Sequence, residues 1–217
     1  MQKDTKGQKL RILFIADIFA KAGKKAVYDF LPQLEYRYNP DIIIANGENV
    51  AGGFGITPNL ANKLFHYGID VITLGNHAYD RKEIDTYLNN NPHIVRPDNY
   101  PPGNPGKGYI IHTLEDGRKL AVVNLMGRIY MNQLDCPFRA ADRIIDEISK
   151  ETNLIFIDFH AEATAEKRAF GRYVDGRVSA VCGTHTHIQT SDNHILPQGT
   201  AYITDAGMTG PHDSVIG

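Results

Sequence analysis

The hydrophobic residues of this chain occur in two patterns that alternate along its length. In the first, short continuous runs of Ile, Val and Phe are bounded by charged or turn-forming residues, as in strands that a parallel sheet buries on both faces. These runs predict strands at residues 10–16, 41–45, 69–74, 93–95, 154–159 and 178–182. One or two further short strands are predicted within residues 193–210.

In the second pattern, hydrophobic residues recur every three or four positions, which is the spacing of an amphipathic helix. This spacing predicts helices at residues 23–38, 57–67, 80–89, 137–150 and 162–169. Pro32 lies inside the first of these, where it should either kink or divide the helix. Thr57 and Pro58 form a typical N-cap and first-turn pair for the second helix.

A hairpin interrupts this alternation. Residues 109–114 and 119–126 are two strand-like runs on either side of Asp116 and Gly117, a pair that favours a tight turn. Alternating strands and helices with one such hairpin predict an α/β fold whose parallel strands are covered by helices. The chain has 217 residues, 42% of them hydrophobic, and we expect one domain over residues 10–217. Residues 1–9 are expected to be a disordered extension.

Side chains that can bind metal ions follow five of the predicted strands within one to five residues. They belong to Asp17, Glu48, Asn76, His160, His185 and His187. Parallel sheets bind ligands beyond the carboxyl ends of their strands, so this shared position predicts a single site. His185 and His187 are two residues apart, and in an extended backbone their side chains would point to the same side.

The types of these side chains indicate the kind of site. Two carboxylates, amides and three imidazoles exceed what one tetrahedral ion needs, and the lack of thiolates disfavours a structural zinc site. Mixed oxygen and nitrogen donors suit Mn, Fe, Zn, Co or Mg, and six or seven of them suit two ions that share a carboxylate. Two cations about 3.5 to 4 Å apart activate water and neutralise a phosphoryl group, which predicts hydrolysis of phosphate esters.

Charge narrows the choice of substrate. The formal net charge of -2 argues against a dedicated nucleic-acid or anionic-membrane surface, because proteins that bind polyphosphates normally carry a clustered basic face. The Lys- and Arg-bearing stretches at residues 118–119 and 167–172 are interpreted as solvated surfaces. Small anionic substrates need only a few local cations and are compatible with this composition.

The cysteines and the N-terminal region bear on the location of the protein. Cys136 and Cys182 are the two cysteines, and they form no spaced framework, which fits a reducing compartment. The basic residues at the N-terminus are followed by an apolar run over residues 12–16, too short for a signal peptide or a membrane span. We therefore expect a cytoplasmic protein.

Five short motifs resemble those of the calcineurin-like metallophosphoesterases. They are DIF at Asp17, GEN at Glu48 and Asn49, GNH at Asn76 and His77, FH at His160, and GTHTH at His185 and His187. The longer strings NGENVAGGFGIT, TLGNHAYD and ILPQGTAYITDAGMTGPHDSVIG resemble the bacterial branch typified by the YmdB phosphodiesterases. Phe19 stands where the wider superfamily has a histidine and Glu48 where it has an aspartate, and both departures are shared with that branch.

The resemblance extends from Leu10 to the last residue and implies a four-layer α/β/β/α sandwich with mixed sheets. It implies one ion held by Asp17, Glu48, Asn49 and His187 and a second held by Glu48, Asn76, His160 and His185, with Glu48 as the bridge. Iron or manganese are the metals that it favours, and zinc, magnesium or cobalt also suit the ligands. The chain ends in a motif after which this branch usually continues, so we expect a C-terminal truncation; a homo-oligomer is compatible with the sequence.

Two further features adjoin the metal ligands. His77 follows Asn76 and is the candidate general acid, since the ordinary histidine pKa of about 6.5 suits protonation of a ribose leaving oxygen. The alternative role for His77 is a supporting hydrogen bond beside the ligands. The glycine-rich residues 51–56 match neither spacing of the known phosphate-binding loops, and we interpret them as a flexible or closely approached loop over the metals.

These features predict a dinuclear metal-dependent phosphodiesterase. The resemblance adds small 2',3'- or 3',5'-cyclic nucleotides as substrates, opened by in-line attack of a metal-bridging hydroxide. One alternative is a phosphomonoesterase or a nuclease of short RNA that uses the same site. Another is a regulatory protein that senses a nucleotide or a metal without turnover.

Overall fold

A computed structural model describes residues 9–216 of the chain. Apart from Lys9, the predicted extension at residues 1–9 therefore lies outside the described residues. The first half contains β1 (Ile12–Ile15), α1 (Ala20–Tyr38), β2 (Ile42–Asn46), α2 (Pro58–His66), β3 (Val71–Thr73), α3 (Ile84–Asn90) and β4 (Ile94–Val95). The second half contains β5 (Tyr109–Thr113), β6 (Lys119–Met126), α4 (Pro137–Ile148), β7 (Ile155–His160), α5 (Thr164–Tyr173), β8 (Ala180–Thr184), β9 (His194–Ile195) and β10 (Ala201–Ile203).

The strands form two sheets. The first has the order β1-β2-β3-β4 and is parallel throughout. The second has the order β5-β6-β7-β8-β10-β9, with four parallel strands in the middle and an antiparallel strand at each edge. The predicted hairpin is confirmed as the β5–β6 pair, in which Thr113 lies opposite Lys119.

The two sheets pack face to face and each is covered by helices on its outer face. Residues between the sheets include Ile44 and Val71 from the first and Val122 and Phe156 from the second. The helices α1, α2 and α3 pack on the first sheet, and α4 and α5 pack on the second. The structure is thus the four-layer α/β/β/α sandwich that the resemblance implied, with one parallel sheet and one mixed sheet in place of two mixed ones.

The side chains between the sheets change from apolar to polar toward the carboxyl ends of the strands. In β2, Ile42 and Ile44 are followed on the same face by Asn46, and in β7, Phe156 is followed by Asp158. Asn124 of β6 continues this polar layer and accepts a hydrogen bond from the Leu74 amide at 3.2 Å, which ties the two sheets together. The polar layer lies directly beneath the predicted site.

Local predictions were mostly confirmed, with some corrections. The Thr57 hydroxyl accepts a hydrogen bond from the Leu60 amide and caps α2 as predicted. Pro32 does not divide α1, which runs without interruption from Ala20 to Tyr38. The interpretation of residues 167–172 as a solvated surface was wrong for Lys167, which is buried against Asp205. Among residues 9–216, no helix combines the length and the apolar character that crossing a membrane requires.

Candidate metal centre

The loops that follow β1, β2, β3 and β8 and the last residue of β7 bring all seven predicted ligands to one edge of the sandwich. Nε2 of His160 is the centre of the first group. It lies 3.0 Å from Oε1 of Glu48, 2.9 Å from Oδ1 of Asn76 and 3.1 Å from Nδ1 of His185. Glu48 and His160 are fully buried, and His185 is half-buried.

A second group lies beside the first and shares Glu48 with it. Nδ2 of Asn49 lies 3.2 Å from Oε1 of Glu48, 3.1 Å from Nε2 of His187 and 3.5 Å from Oδ1 of Asp17. Nε2 of His187 lies 3.9 Å from the same Asp17 oxygen. Asn49 thus faces this group with its amide nitrogen, and it would have to turn its amide to offer oxygen to a cation.

The donor atoms of the first group suit a metal ion. Cis ligands of an octahedral ion with bonds of about 2.1 Å are separated by about 3 Å, which matches the separations around His160. Ligand atoms of Glu48, His160 and His185 all lie within 4.8 Å of one another. The donors are a carboxylate, an amide oxygen and two imidazoles without thiolate, a set that suits Mn, Fe, Zn or Co.

Hydrogen bonds on the far side of each imidazole determine which nitrogen faces the cluster. Nδ1 of His160 lies 2.8 Å from the Thr184 hydroxyl, so Nε2 faces Glu48. In His185 the arrangement is reversed, because Nε2 lies 3.2 Å from a Glu162 oxygen and Nδ1 faces the cluster. Partners of this kind fix the tautomer of metal-binding histidines.

The protonation states follow from burial and from neighbouring charges. Burial would lower the pKa of His160, but the charge and hydrogen bond of Glu48 raise it to about 9. Burial would likewise raise the pKa of Glu48, but the His160 charge and hydrogen bond lower it to about 2. Burial and the positive charge of His160 lower the pKa of His185 to about 3, so His185 stays neutral, the form that binds metals.

Burial raises the pKa of Asp17 well above its usual value, and the Glu48 carboxylate adds to this increase, although the His160 charge opposes it. Asp17 is held in place by the amide of His185, which donates to Oδ2 at 3.1 Å. The cluster therefore places two buried carboxylates beside the His160 imidazole, and a further cation would relieve the repulsion between those carboxylates.

The backbone of the loops is strained at the ligands. The prediction of an extended backbone at His185 and His187 was wrong, because β8 ends at Thr184 and both histidines have positive φ, 99° and 65°. Asp17 also has a positive φ of 31°. Side chains rarely adopt such angles unless the surroundings enforce them, and sites of this kind are commonly functional. As a result His185 joins the His160 group and His187 joins the Asp17 group.

Gly75 is required for the approach of the two sheets at the cluster. A Cβ atom at this position would lie 2.3 Å from Oε2 of Glu48 and 2.4 Å from Nε2 of His160. No real Cβ contact is this short, so a side chain at residue 75 would displace two predicted ligands. The cluster therefore depends on the absence of a side chain at this position.

His77 lies at the rim of the cluster. Its amide donates to Oε2 of Glu48 at 3.1 Å, and its Nδ1 lies 2.7 Å from Oδ2 of Asp80. The side chain is 25% exposed. Asp80 thus holds the Nδ1 proton, and Nε2 is the nitrogen available to a substrate.

Sequence reasoning missed the residues that support the ligands. Asp158 is fully buried and accepts hydrogen bonds from the side chains of Asn46, Thr73 and Thr184, and Lys167 is ion-paired with Asp205 behind residues 184–187. Thr184 is also the partner of His160 Nδ1. Asp158 did carry a signal, since a charged residue inside an otherwise apolar strand needs buried partners. Lys167 carried none, because α5 is polar on most of its surface.

Comparisons with known proteins show which proteins the chain resembles. The family model described as YmdB-like protein matches residues 13–217. A 2',3'-cyclic-nucleotide 2'-phosphodiesterase of Bacillus subtilis strain 168 is 53% identical over 208 residues, which cover 96% of this chain and 78% of that protein.

Two crystal structures are also similar. A hypothetical protein from Thermus thermophilus superposes with a TM-score of 0.90 at 48% identity, covering 96% of this chain and 80% of that one. A novel phosphatase from Mycoplasma pneumoniae superposes with a TM-score of 0.85 at 33% identity, covering 92% of this chain and 72% of that one.

Proposed function

The chain belongs to the YmdB-like protein family and is a phosphodiesterase, and we propose that it hydrolyses small 2',3'-cyclic nucleotides with two divalent metal ions. The choice of the 2',3' isomer is supported by the name of the Bacillus subtilis relative. The 3',5'-cyclic nucleotides are the alternative substrates, and they should be assayed beside the 2',3' isomers. The cytoplasmic location expected from the sequence is part of this proposal.

The observation that carries the metal proposal is the group of donor atoms around Nε2 of His160. A carboxylate oxygen, an amide oxygen and a second imidazole nitrogen each lie 2.9 to 3.1 Å from this atom. In the proposal Glu48, Asn76, His160 and His185 hold one ion. Asp17, His187 and, once its amide is turned, Asn49 would hold the other, and Glu48 would contribute to both. When bound, such ions act as Lewis acids that polarise water and neutralise phosphoryl charge.

Iron and manganese are the metals that we propose. The mixture of imidazole, carboxylate and amide donors tolerates zinc, cobalt and magnesium as well, so the choice depends on supply as much as on the ligands. Elemental analysis of protein purified without oxygen distinguishes these metals.

His77 supplies the proton in the proposed reaction. Attack of water on phosphorus breaks the bond to the 2'-oxygen of the ribose, and that oxygen must gain a proton as it leaves. This role is supported by Asp80, which lies 2.7 Å from Nδ1 of His77 and leaves Nε2 as the nitrogen that faces a substrate. The product is then a nucleoside 3'-phosphate.

The test is a comparison of substrates with protein loaded with Mn²⁺ or Fe²⁺. We expect turnover of 2',3'-cyclic AMP and of bis-p-nitrophenyl phosphate, with little turnover of a phosphomonoester or of an oligoribonucleotide. Faster hydrolysis of the monoester would favour the phosphatase alternative, which the name of the Mycoplasma pneumoniae structure also suggests. Binding of two metals and of nucleotide without product would favour a sensor and would contradict the proposal.

A further inference from the structure

Phe54 is an exposed aromatic residue beside the candidate general acid. Its ring centroid lies 5.1 Å from that of His77, and the two rings are nearly perpendicular at 81°. Even with this contact, 56% of the residue is exposed to solvent. A large part of an aromatic ring is therefore presented to solvent at the rim of the metal centre.

The loop that carries Phe54 is held in one conformation by hydrogen bonds. Nη2 of Arg81 donates to the Ala51 carbonyl at 2.7 Å, and Nε of Arg81 donates to the Phe54 carbonyl at 3.0 Å. The Ala51 amide closes the loop on the Gly55 carbonyl at 2.9 Å. Of the two interpretations left open for residues 51–56, the closely approached loop fits these contacts.

Two glycines of the loop show how closely it is approached. Gly53 and Gly55 have φ values of 101° and 76°, which disfavour residues with a side chain. A Cβ atom on Gly53 would lie 2.9 Å from the Phe19 ring, and one on Gly55 would lie 2.9 Å from the Arg81 side chain. The loop thus presents Phe54 from a fixed backbone, which reduces the entropy lost when a ligand binds to its ring.

The proposed reaction places the nucleobase close to this ring. His77 protonates the 2'-oxygen, so carbon C2' of the ribose must lie beside its Nε2. The base is attached to C1', the next carbon of the sugar. A base whose ribose reacts at His77 therefore falls within reach of the aromatic residue that contacts His77.

We propose that Phe54 is a nucleobase-binding residue, a platform on which the base of the cyclic nucleotide stacks; this inference rests on the proposed function. Every base has a π-face, so stacking tolerates all four bases. The platform accordingly gives preference for nucleotides over cyclic phosphates without a base. Stacking should favour purine nucleotides over pyrimidine nucleotides, since purine rings offer the larger stacking area.

The competing explanation is that Phe54 only orients His77. The two roles differ in what they do to substrates without a base. A platform affects nucleotides alone and acts mainly through KM, whereas an orienting residue lowers kcat for every substrate and alters the pH profile of kcat. A five-membered cyclic phosphate without a base, glycerol 1,2-cyclic phosphate, separates the two.

The experiment compares Phe54→Ala with the wild-type protein on 2',3'-cyclic AMP and on glycerol 1,2-cyclic phosphate. Loss of one stacked base corresponds to a decrease in kcat/KM of about 10- to 100-fold, which we expect for the nucleotide, mostly as a higher KM. For the glycerol compound we expect a change of less than about twofold, with an unaltered pH profile. Phe54→Tyr should retain the wild-type preference, and Phe54→Leu should lose most of it.

Phe30 provides a matched control, because it is also 56% exposed but lies on α1. Phe30→Ala should leave kcat/KM unchanged for both substrates. Equal losses of kcat on both substrates in Phe54→Ala and Phe54→Leu would show that Phe54 orients His77 and does not bind the base. An unchanged KM for the nucleotide in Phe54→Ala would also refute the platform role. Wild-type protein inert on both cyclic phosphates would overturn the proposed function itself.

Discussion

The hydroxyl of Thr184 links the buried carboxylate of Asp158 to the imidazole of His160. Its oxygen lies 2.6 Å from Oδ1 of Asp158 and 2.8 Å from Nδ1 of His160. The hydroxyl has one proton, which it donates to the carboxylate, so it must accept the Nδ1 proton of His160. This chain of hydrogen bonds directs Nε2 toward Glu48 and Asn76, where a metal would bind in place of the Nε2 proton.

Thr184→Val should therefore weaken metal binding. Without the acceptor for its Nδ1 proton, His160 is free to adopt the other tautomer, and the loss of such a partner typically lowers metal affinity about 10- to 100-fold. Calorimetric titration with Mn²⁺ measures this loss. Thr73→Val is the matched control, because the Thr73 hydroxyl also bonds to Asp158, at 2.5 Å, but has no bond to His160. Equal affinities in the two variants would contradict the tautomer argument.

Metal binding should release protons in proportion to the charge on His160. The pKa of His160 is raised to about 9, so at neutral pH its Nε2 carries a proton that a metal must displace. Affinity should therefore increase as the pH rises toward about 9, and at least one proton, that of His160, should be released per protein at pH 7. Titration calorimetry in two buffers with different ionisation enthalpies counts these protons. A heat of binding that is the same in both buffers at pH 7 would refute the prediction.

Gly75→Ala should abolish binding of the metal held around His160. The added methyl group would lie 2.3 Å from Oε2 of Glu48 and would push the carboxylate and the imidazole of His160 apart. Equilibrium dialysis with Mn²⁺ should show at least one equivalent fewer than in the wild type. Gly103→Ala is the control, since a Cβ there meets no atom within 4 Å, although its positive φ of 92° makes a modest loss of stability expected. Full metal content in Gly75→Ala would show that the metal still binds when the Glu48 carboxylate and the His160 imidazole are pushed apart.

His77→Ala should retain the metals and lose turnover on cyclic nucleotides. A general acid contributes about 10²- to 10⁴-fold to the rate, and the ribose oxygen is a poor leaving group that needs its proton. The p-nitrophenolate of bis-p-nitrophenyl phosphate leaves without protonation, so its hydrolysis should fall far less. Metal loss in this variant would make His77 a ligand, and equal loss on both substrates would argue against the role of acid.

Lys167→Met should destabilise the protein far more than Arg168→Met. Lys167 is 1% exposed, and its Nζ lies 2.5 Å from Oδ2 of Asp205 and 2.8 Å from the Thr184 carbonyl. Breaking a buried pair leaves an uncompensated charge and costs about 3 to 5 kcal/mol. The Arg168 side chain is 52% exposed and pairs loosely with Asp192, so its removal should cost less than about 1 kcal/mol.

Unfolding in urea measures both changes in the free energy of unfolding. The same carboxylate of Asp205 accepts a hydrogen bond from the Thr186 hydroxyl at 2.8 Å. Because His185 and His187 flank Thr186, Lys167→Met should also loosen these two histidines. Similar stabilities of the Lys167 and Arg168 variants would show that the buried pair contributes no more than a surface one.

Some supporting features of the site could be read only after the chain was folded. Asp158 stands out in the sequence as a charge inside a strand, but its three partners come from β2, β3 and β8, which are far apart along the chain. Lys167 has no distinguishing neighbours in the sequence, and its burial depends on how closely α5 approaches the loop after β8. Local patterns cannot report such distances, because they depend on how whole elements pack.

The sequence by itself determined the order of strands and helices and the positions of the predicted ligands at the ends of strands. Both follow from local physical chemistry, since hydrophobic spacing reflects the period of the backbone and the carboxyl ends of parallel strands share one edge. Only the tertiary structure decided which nitrogen of His160 and of His185 faces the cluster, and that His185 and His187 reach it from a left-handed backbone. These outcomes depend on the angle and spacing of two packed sheets, which set every distance between groups that are remote in the sequence.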